Sequence, residues 1–561
     1  MIGSNNSPRP GVHFRKHDHR FVTELLANMS LPVPPGVPRI IHQTWITKSV
    51  PPDKGDTESW QRLNPDWEYR FWDDAALRSF MAEEFPDLLT FFDGYSRPVQ
   101  RADLARYCLL KRFGGVYADI DTRCLAPLEP LAGTHRIVLC EEPRDRQHHA
   151  TRRGLPFLLF NGTMASPAGH PFWDTLIELC VRMYPRRDGD VLETTGPLLL
   201  TAAVLQWPDT DAFALHSSHL FAETGDVSSC DRRGAWKDRR FSEHFWNGSW
   251  FRETPPNVIR RTVTKFRKLR HRLYSPRLSL VDAQQHVAID LLQRPLPDAS
   301  EPPKVAILIP VRNGADTLVR NMEQILGLDY PKDRLHVLYG EGDSTDDTAS
   351  VIAGLIRDHA GSFASIATVR TDRNAPHVPR SRRWRRVYQF HRRAGLARAR
   401  NDLLRQAFAL NTDWFLWLDA DVVGLPRHLL DVLLSARAKI VTPDCVLRQD
   451  GPSYDLNAFL DVGEPPDHEY YRHINGGILQ PPEHYWVRRH LHDLRYLDAV
   501  PLHGVGGTVL LVHGDVHRAG VMFPEIPYRD LLETEAFGQL ARDLGVTPIG
   551  LPQIQAVHDA S

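Results

Sequence analysis

Apolar residues in this chain gather in short continuous runs separated by helical patterns, with little strict alternation. Ile40-Ile41 and Val116-Tyr117 are such runs in the N-terminal half. Val305-Ala306-Ile307-Leu308-Ile309, Leu335 to Tyr339 and Trp414-Phe415-Leu416-Trp417-Leu418 are stronger ones further on. Runs of this kind predict parallel strands covered on both faces, and hence an α/β fold. Between the halves the strand signal disappears. A basic stretch from Arg260 to Arg272 leads into Pro295, Pro297, Pro302 and Pro303, which predicts a connecting helix and then an extended linker. The expected organisation is an N-terminal extension (1–37), a first domain (38–255), the connector (256–302) and a second domain (303–561). Each domain, at roughly 250 residues, is long enough to fold around its own core.

In the connector, Ile259, Val263, Phe266 and Leu273 fall near one helical stripe flanked by Arg and Lys. Such a helix can lie on an anionic membrane surface or pack its stripe against a domain. Composition narrows the function. With 13 Trp, 15 Tyr and 24 Phe in 561 residues, disorder is excluded as the main state. Lys plus Arg total 68 and Asp plus Glu 69, so bulk charge does not point to nucleic acid. No apolar run approaches the roughly 20 residues that span a bilayer, and Met1 to Arg20 lacks a signal-peptide core. Cys108, Cys124, Cys140, Cys180, Cys230 and Cys445 form no CxxC pair. They read as buried thiols in a reducing compartment. A cytoplasmic enzyme is expected, peripheral at most to the inner face of a membrane.

The chemistry lies in carboxylate pairs spaced by one residue, of which the chain has four. Asp188/Asp190 surrounds a Gly and Asp209/Asp211 follows Trp207-Pro208, so both read as turns. Asp119/Asp121 and Asp419/Asp421 instead each end an apolar strand, where ligands bind in an open α/β sheet. A pair there can hold a divalent cation and a diphosphate. Gly114-Gly115 just before the first pair lets the backbone approach closely.

Several ordered blocks of the first half resemble glycosyltransferase family 32. They are Pro38 to Trp45, Leu63 to Trp67, Arg101 to Tyr107, Phe113 to Asp121, Asn161 to Ser166, Thr195 to Pro197, and His244 with Gly248-Ser249-Trp250. The second half is similar to glycosyltransferase family 62, the mannan-polymerase-type mannosyltransferases. That likeness rests on Arg398 to Asn401, Trp417 to Asp421, Tyr454 to Asn457, Val505 to Thr508, Glu533 to Phe537 and Val557-His558. The resemblance implies two GT-A domains in tandem, each Rossmann-like with a mostly parallel sheet.

It also implies metal ligands: Asp121 directly, with His244 as a further ligand and Asp119 working beside it near the ribose and the metal's waters, in the first half, and Asp419, Asp421 and His558 in the second. One Mn²⁺ or Mg²⁺ per domain is the implied cofactor. Asp103 and Arg106 would hold the donor sugar, Trp45 would stack on the base, and Tyr117 and Trp250 would line the pocket. In the second half Asp343, Arg398, Asn401, Asp455 and Asn457 would bind substrate, and Glu533 or Glu535 would face the acceptor. Asp103 and Arg106, three residues apart, share one helical face independently of the resemblance. The basic run Arg380 to Arg386 reads equally as a solvated loop or as one gripping a diphosphate.

The function implied is retaining transfer of a hexose, mannose first, from GDP-mannose or a UDP-hexose to a glycan or lipid-linked acceptor. Two other readings stand beside it: one half acting as a glycan-binding or scaffold module, and a secreted effector that glycosylates host protein from a UDP-sugar. No nucleic-acid partner is expected.

Overall fold

The structure, a computed structural model, describes residues 36–51, 54–225, 235–246, 277–298, 301–371, 385–463, 468–475, 477–482, 485 and 487–559. Trp250, most of the Arg380 to Arg386 run, and the connector stripe from Ile259 to Leu273 lie outside the described residues.

The first half carries β1 (Ile40–Thr44), β2 (Glu68–Trp72), β3 (Gly115–Ala118), β4 (Thr122–Cys124), β5 (Ile137–Glu141), β6 (Leu159–Ser166), β7 (Phe213–His216) and β8 (Ser242–His244). One sheet runs β2-β1-β3-β6-β5-β7, and β4 pairs β8 in a separate ribbon. The second half carries β9 (Val305–Val311), β10 (Leu335–Glu341), β11 (Ser365–Arg370), β12 (Trp414–Leu418), β13 (Val422–Gly424) and β14 (Ile440–Val446). It continues with β15 (Phe459–Asp461), β16 (Ile474–Asn475), β17 (Ile478–Leu479), β18 (Arg488–His490), β19 (Val500–Pro501), β20 (Val509–His513) and β21 (Ile549–His558). Its main sheet is ordered β11-β10-β9-β12-β20-β14-β21-β13.

The apolar runs therefore become strands at the positions the pattern predicts. The sheets, however, are mixed. β3 is parallel to β1 and antiparallel to β6, just as β12 is parallel to β9 and antiparallel to β20. Both Asp pairs thus leave the sheet where its parallel part meets an antiparallel neighbour.

Two expectations about organisation need correction. Residues 277–298 are not an extended linker. They form short helices at Leu280–Gln284 and Ile289–Gln293 that pack on the second half. The Leu278 and Ala288 amides donate to the Pro527 and Ala519 carbonyls, and the Lys439 ammonium donates to the carbonyls of Leu291 and Leu292. Ala283 and Leu292 are buried, so apolar residues set among the prolines decide the outcome. Nor does each half keep its core to itself. One buried cluster runs continuously from Phe80, Leu104 and Trp173 of the first half to Leu403, Tyr496 and Phe537 of the second.

Candidate functional site

The helix Pro98–Phe113 starts with Pro at its first turn and ends at Gly114, whose φ of +64° suits glycine. Gly115 (φ +89°) then starts β3, so close to β1 that a Cβ would lie 2.4 Å from the Ile40 carbonyl oxygen. This hairpin-like return aims Arg106 at the end of β3. Its guanidinium lies 3.0 Å from Asp119 Oδ1 and 3.2 Å from Asp103 Oδ1, and it covers the Tyr117 ring at 4.6 Å. The Tyr117 hydroxyl donates to Asp119 Oδ1 at 2.9 Å. Asp103 also accepts from Asn161 Nδ2 (3.0 Å) and Thr195 Oγ1 (2.8 Å). After Asp121 the chain enters β4, where Thr122 sits opposite His244 of β8. That register brings His244 Nε2 to 3.1 Å from Asp121 Oδ1 and 3.9 Å from Asp119 Oδ2.

The second half repeats the plan. Arg400, on the helix Arg386–Ala407, lies 3.0 Å from Asp419 Oδ1 and 5.5 Å from the Trp417 ring centroid. As with Tyr117, this aromatic stands two residues before the Asp. Following Asp421, Val422 of β13 pairs with His558 of β21, and His558 Nε2 lies 3.0 Å from Asp421 Oδ1. Arg400 also bonds Glu533 Oε1 at 3.2 Å. Asp455 Oδ2 accepts from the Gly507 and Thr508 amides and from Thr508 Oγ1, at 3.0, 3.2 and 2.9 Å. The Thr508 carbonyl in turn accepts from the Asp419 amide.

Burial raises the pKa of Asp119 against the pull of Arg106, and repulsion from Asp121 adds to the rise. Burial likewise holds Asp419 at about 6 despite Arg400, with Asp421 and Asp455 adding repulsion. Carboxylates crowded in this way are suited to a divalent cation, whose charge would relieve the repulsion. Asp119, Asp121 and His244 each offer a ligand atom within 4.8 Å of the others, the one such trio among the described residues. The histidines differ in readiness. His558 Nδ1 faces the Asp559 carbonyl at 2.7 Å, which leaves Nε2 free to ligate once Nδ1 donates. His244 Nδ1 instead accepts from the Trp246 amide at 3.1 Å. That contact puts the neutral ring's proton on Nε2, and ligation there requires the Trp246 amide to let go.

The residues singled out in the sequence stand at the Asp pairs and around them. Asp103, Arg106 and Tyr117 are buried beside Asp119, with Arg106 and Tyr117 both bonded to its Oδ1. Arg398 lies on the exposed face of its helix, and the unpredicted Arg400 is the buried brace. The signal was available, because Arg400 shares a helical face with the buried Ala397, Leu403 and Leu404. Asn401 is spent on the backbone of Phe523, with bonds of 2.9 and 3.0 Å. Glu535 is locked between Arg393 (2.7 Å) and Arg488 (3.0 Å). Trp45 and Asp343 lie half-buried beyond the ends of β1 and β10, at the same sheet edges as the Asp pairs. Asn457 lies beside Asp455, whose Oδ1 accepts its amide. Of the pairs read as turns, Asp188 lies in a turn, Asp190 and Asp209 cap short helices, and Asp211 lies within the second of these.

A strand-end Asp-x-Asp pair, braced by arginine and faced by a late histidine, is built twice on mixed α/β sheets, an arrangement of the GT-A type. Residues 52–138 match the family described as glycosyltransferase sugar-binding region containing DXD motif, and residues 284–527 match the Anp1 family. The two matches follow one another along the chain without overlapping. Over 209 residues it is 34% identical to inositol phosphoceramide mannosyltransferase 3 of Schizosaccharomyces pombe, covering 35% of this chain and 53% of that one. Over 221 residues it is 32% identical to mannan polymerase complex subunit MNN9 of Candida albicans, covering 36% and 59%. The chain therefore spans little more than half the length of these curated relatives. A similar solved structure is the mannosyltransferase PcManGT from Pyrobaculum calidifontis in complex with GDP-Man and Mn²⁺. It is 18% identical, with 54% of this chain and 68% of that chain covered and a TM-score of 0.28.

Proposed function

We propose that the protein is a bifunctional retaining glycosyltransferase whose halves each transfer a hexose, mannose first, from a nucleotide-sugar to a glycan or lipid-linked acceptor. The repeated Arg–Asp–x–Asp–His constellation is the observation that carries this reading. The mannosyltransferase names of the relatives support mannose, with GDP-mannose as the first donor to test. In the first half Asp121 and Asp119 would hold the cation, joined by His244. In the second, Asp421 and His558 would hold it with Asp419. A bound Mn²⁺ or Mg²⁺ stabilises the negative charge that grows on the departing nucleoside diphosphate. The chain's own task is to keep the carboxylates in place. Arg106 and Arg400 each fix Oδ1 of the first Asp, and in the first half Oδ2 lies on the side of His244. Trp45 and Asp343, at the sheet edges, are suited to the donor's base and ribose.

The reading is tested by release of free nucleotide from GDP-mannose, UDP-glucose, UDP-galactose and UDP-N-acetylglucosamine. EDTA should abolish release, and Mn²⁺ or Mg²⁺ should restore it. Full activity in chelator rejects the cation sites, and silence with all four donors rejects the transferase reading.

A further inference from the structure

The two halves meet through buried charge. Arg153 and Glu193 of the first half are both almost wholly buried. Arg153 Nε donates to Glu193 Oε1 at 2.6 Å, and its NH2 lies 3.3 Å from Asp190 Oδ2. The second half adds Arg489 from β18, whose Nε lies 3.0 and 2.9 Å from the two Glu193 oxygens and whose NH2 lies 3.5 Å from Asp190. Around this cluster Gln206 donates to the Tyr496 carbonyl (2.8 Å), Arg152 donates to the Val462 carbonyl (3.2 Å), and Arg186 pairs with Asp493.

The segment that Arg489 grips runs straight into the first site. Asp190 caps the one-turn helix Val191–Thr194. Gln100 Nε2 bonds Thr194 Oγ1 at 3.0 Å, and the Tyr107 hydroxyl donates to the Thr195 carbonyl at 2.7 Å. Thr195 Oγ1 donates to Asp103, which pairs with Arg106, which holds Asp119. A four-residue helix cannot stabilise itself, so its position comes from its surroundings: Val191 and Leu192 are buried, and polar contacts hold both ends. At one end it holds Asp103. At the other it is held by arginines, one of them from the second half.

We infer that Arg489, supplied by the second half, is a positioning residue for the first half's Asp pair, acting through Glu193, Thr195 and Asp103. The first half is then incomplete without the second. This rests on the first half being a transferase, and the test separates the two claims. Arg489→Ala leaves Glu193 paired with Arg153, so no carboxylate is orphaned and the fold survives.

The experiment uses the full chain carrying Asp421→Asn, with and without Arg489→Ala or Arg489→Lys. It reads GDP-binding stoichiometry by calorimetry and GDP release from saturating GDP-mannose with Mn²⁺. With Arg489→Ala, stoichiometry should hold while the rate per binding site falls about 10-fold, since sub-ångström misplacement is costly. Arg489→Lys should recover most of the loss. An unchanged rate per site overturns the inference. So does a rate that falls only in step with stoichiometry, because Arg489 would then serve folding alone. If the parent releases nucleotide from none of the four sugars, the proposed function fails. Amide exchange at 191–195 then decides the inference: faster exchange in Arg489→Ala upholds it and unchanged exchange overturns it.

Discussion

A Cβ built on Gly162 would lie 2.4 Å from the Phe160 ring and 2.7 Å from Asp119 Oδ2. Both obstacles are side-chain ends, so Gly162→Ala should displace the carboxylate and leave the fold standing. The expected result is a loss of about 10-fold or more in first-half rate, with a melting temperature within a few degrees of wild type. A different residue carries the pH dependence. Burial pushes Glu142 up to about 8 against the pull of Arg146. Below its unfolded value near 4.5 the group is protonated in both states and costs nothing. As pH rises from there through about 8, the unfolded chain ionises first, and stability falls by about 1.4 kcal/mol per pH unit. Glu142→Gln removes that slope. Melting curves should show the variant more stable at pH 7.5 and close to wild type at pH 4; equal melting at both pH values would falsify the assignment. At this scale the sequence revealed residue types better than their duties. Asp103 and Arg106 could be placed on one helical face, but burial turned them inward, and burial depends on Thr195 and Asn161, distant in sequence. The choice between Arg398 and Arg400 needed only helical phase.

At the scale of elements, the end of the loop entering β20 converges on one carboxylate. Asp455 Oδ2 gathers three donors from Gly507 and Thr508, and Gly506 has no room for a Cβ, which would lie 2.1 Å from the Asp455 carboxylate. Asp455→Ala strips those donors of their partner. The expected cost is about 1–3 kcal/mol of stability, faster amide exchange at 506–508 and a slower second-half reaction. Exchange confined to wild-type rates would show that the loop is held by other means. The strands were legible because continuous apolar runs need no partner to be recognised. The ribbons β4–β8 and β13–β21, which deliver His244 and His558, were not. They are three-residue strands paired with segments more than a hundred residues away, and no local pattern encodes such pairing. Only the order of the motif blocks pointed to the late histidines. The sheets proved mixed for a related reason: apolar runs report burial on both faces but not strand direction.

The shared core changes how the whole molecule must be tested. Because one buried cluster joins the halves and Glu193 lies between arginines from each, cutting the chain would expose that surface and say little about either site. Point substitutions at the Asp pairs avoid this. Each half has its own strand-end pair, its own arginine brace and its own histidine, so two separate transfers are expected, and a single composite site would not need both sets. Asp121→Asn should stop one linkage and Asp421→Asn the other, each by roughly 10²-fold or more, since Asn keeps the shape but withdraws a charge from the cation. Mass and linkage analysis of products, with both acceptor types supplied, is the measurement. Loss of both linkages in either variant, even with the intermediate acceptor present, defeats the two-site reading. The second half carries the sharper question, because Asp419 is drawn to Arg400 and no trio of ligand atoms closes there among the described residues. An Asp421→Asn protein indistinguishable from wild type would make that half a glycan-binding module. A protein that loses one linkage cleanly would make Arg400 a brace that releases Asp419 when donor and cation arrive.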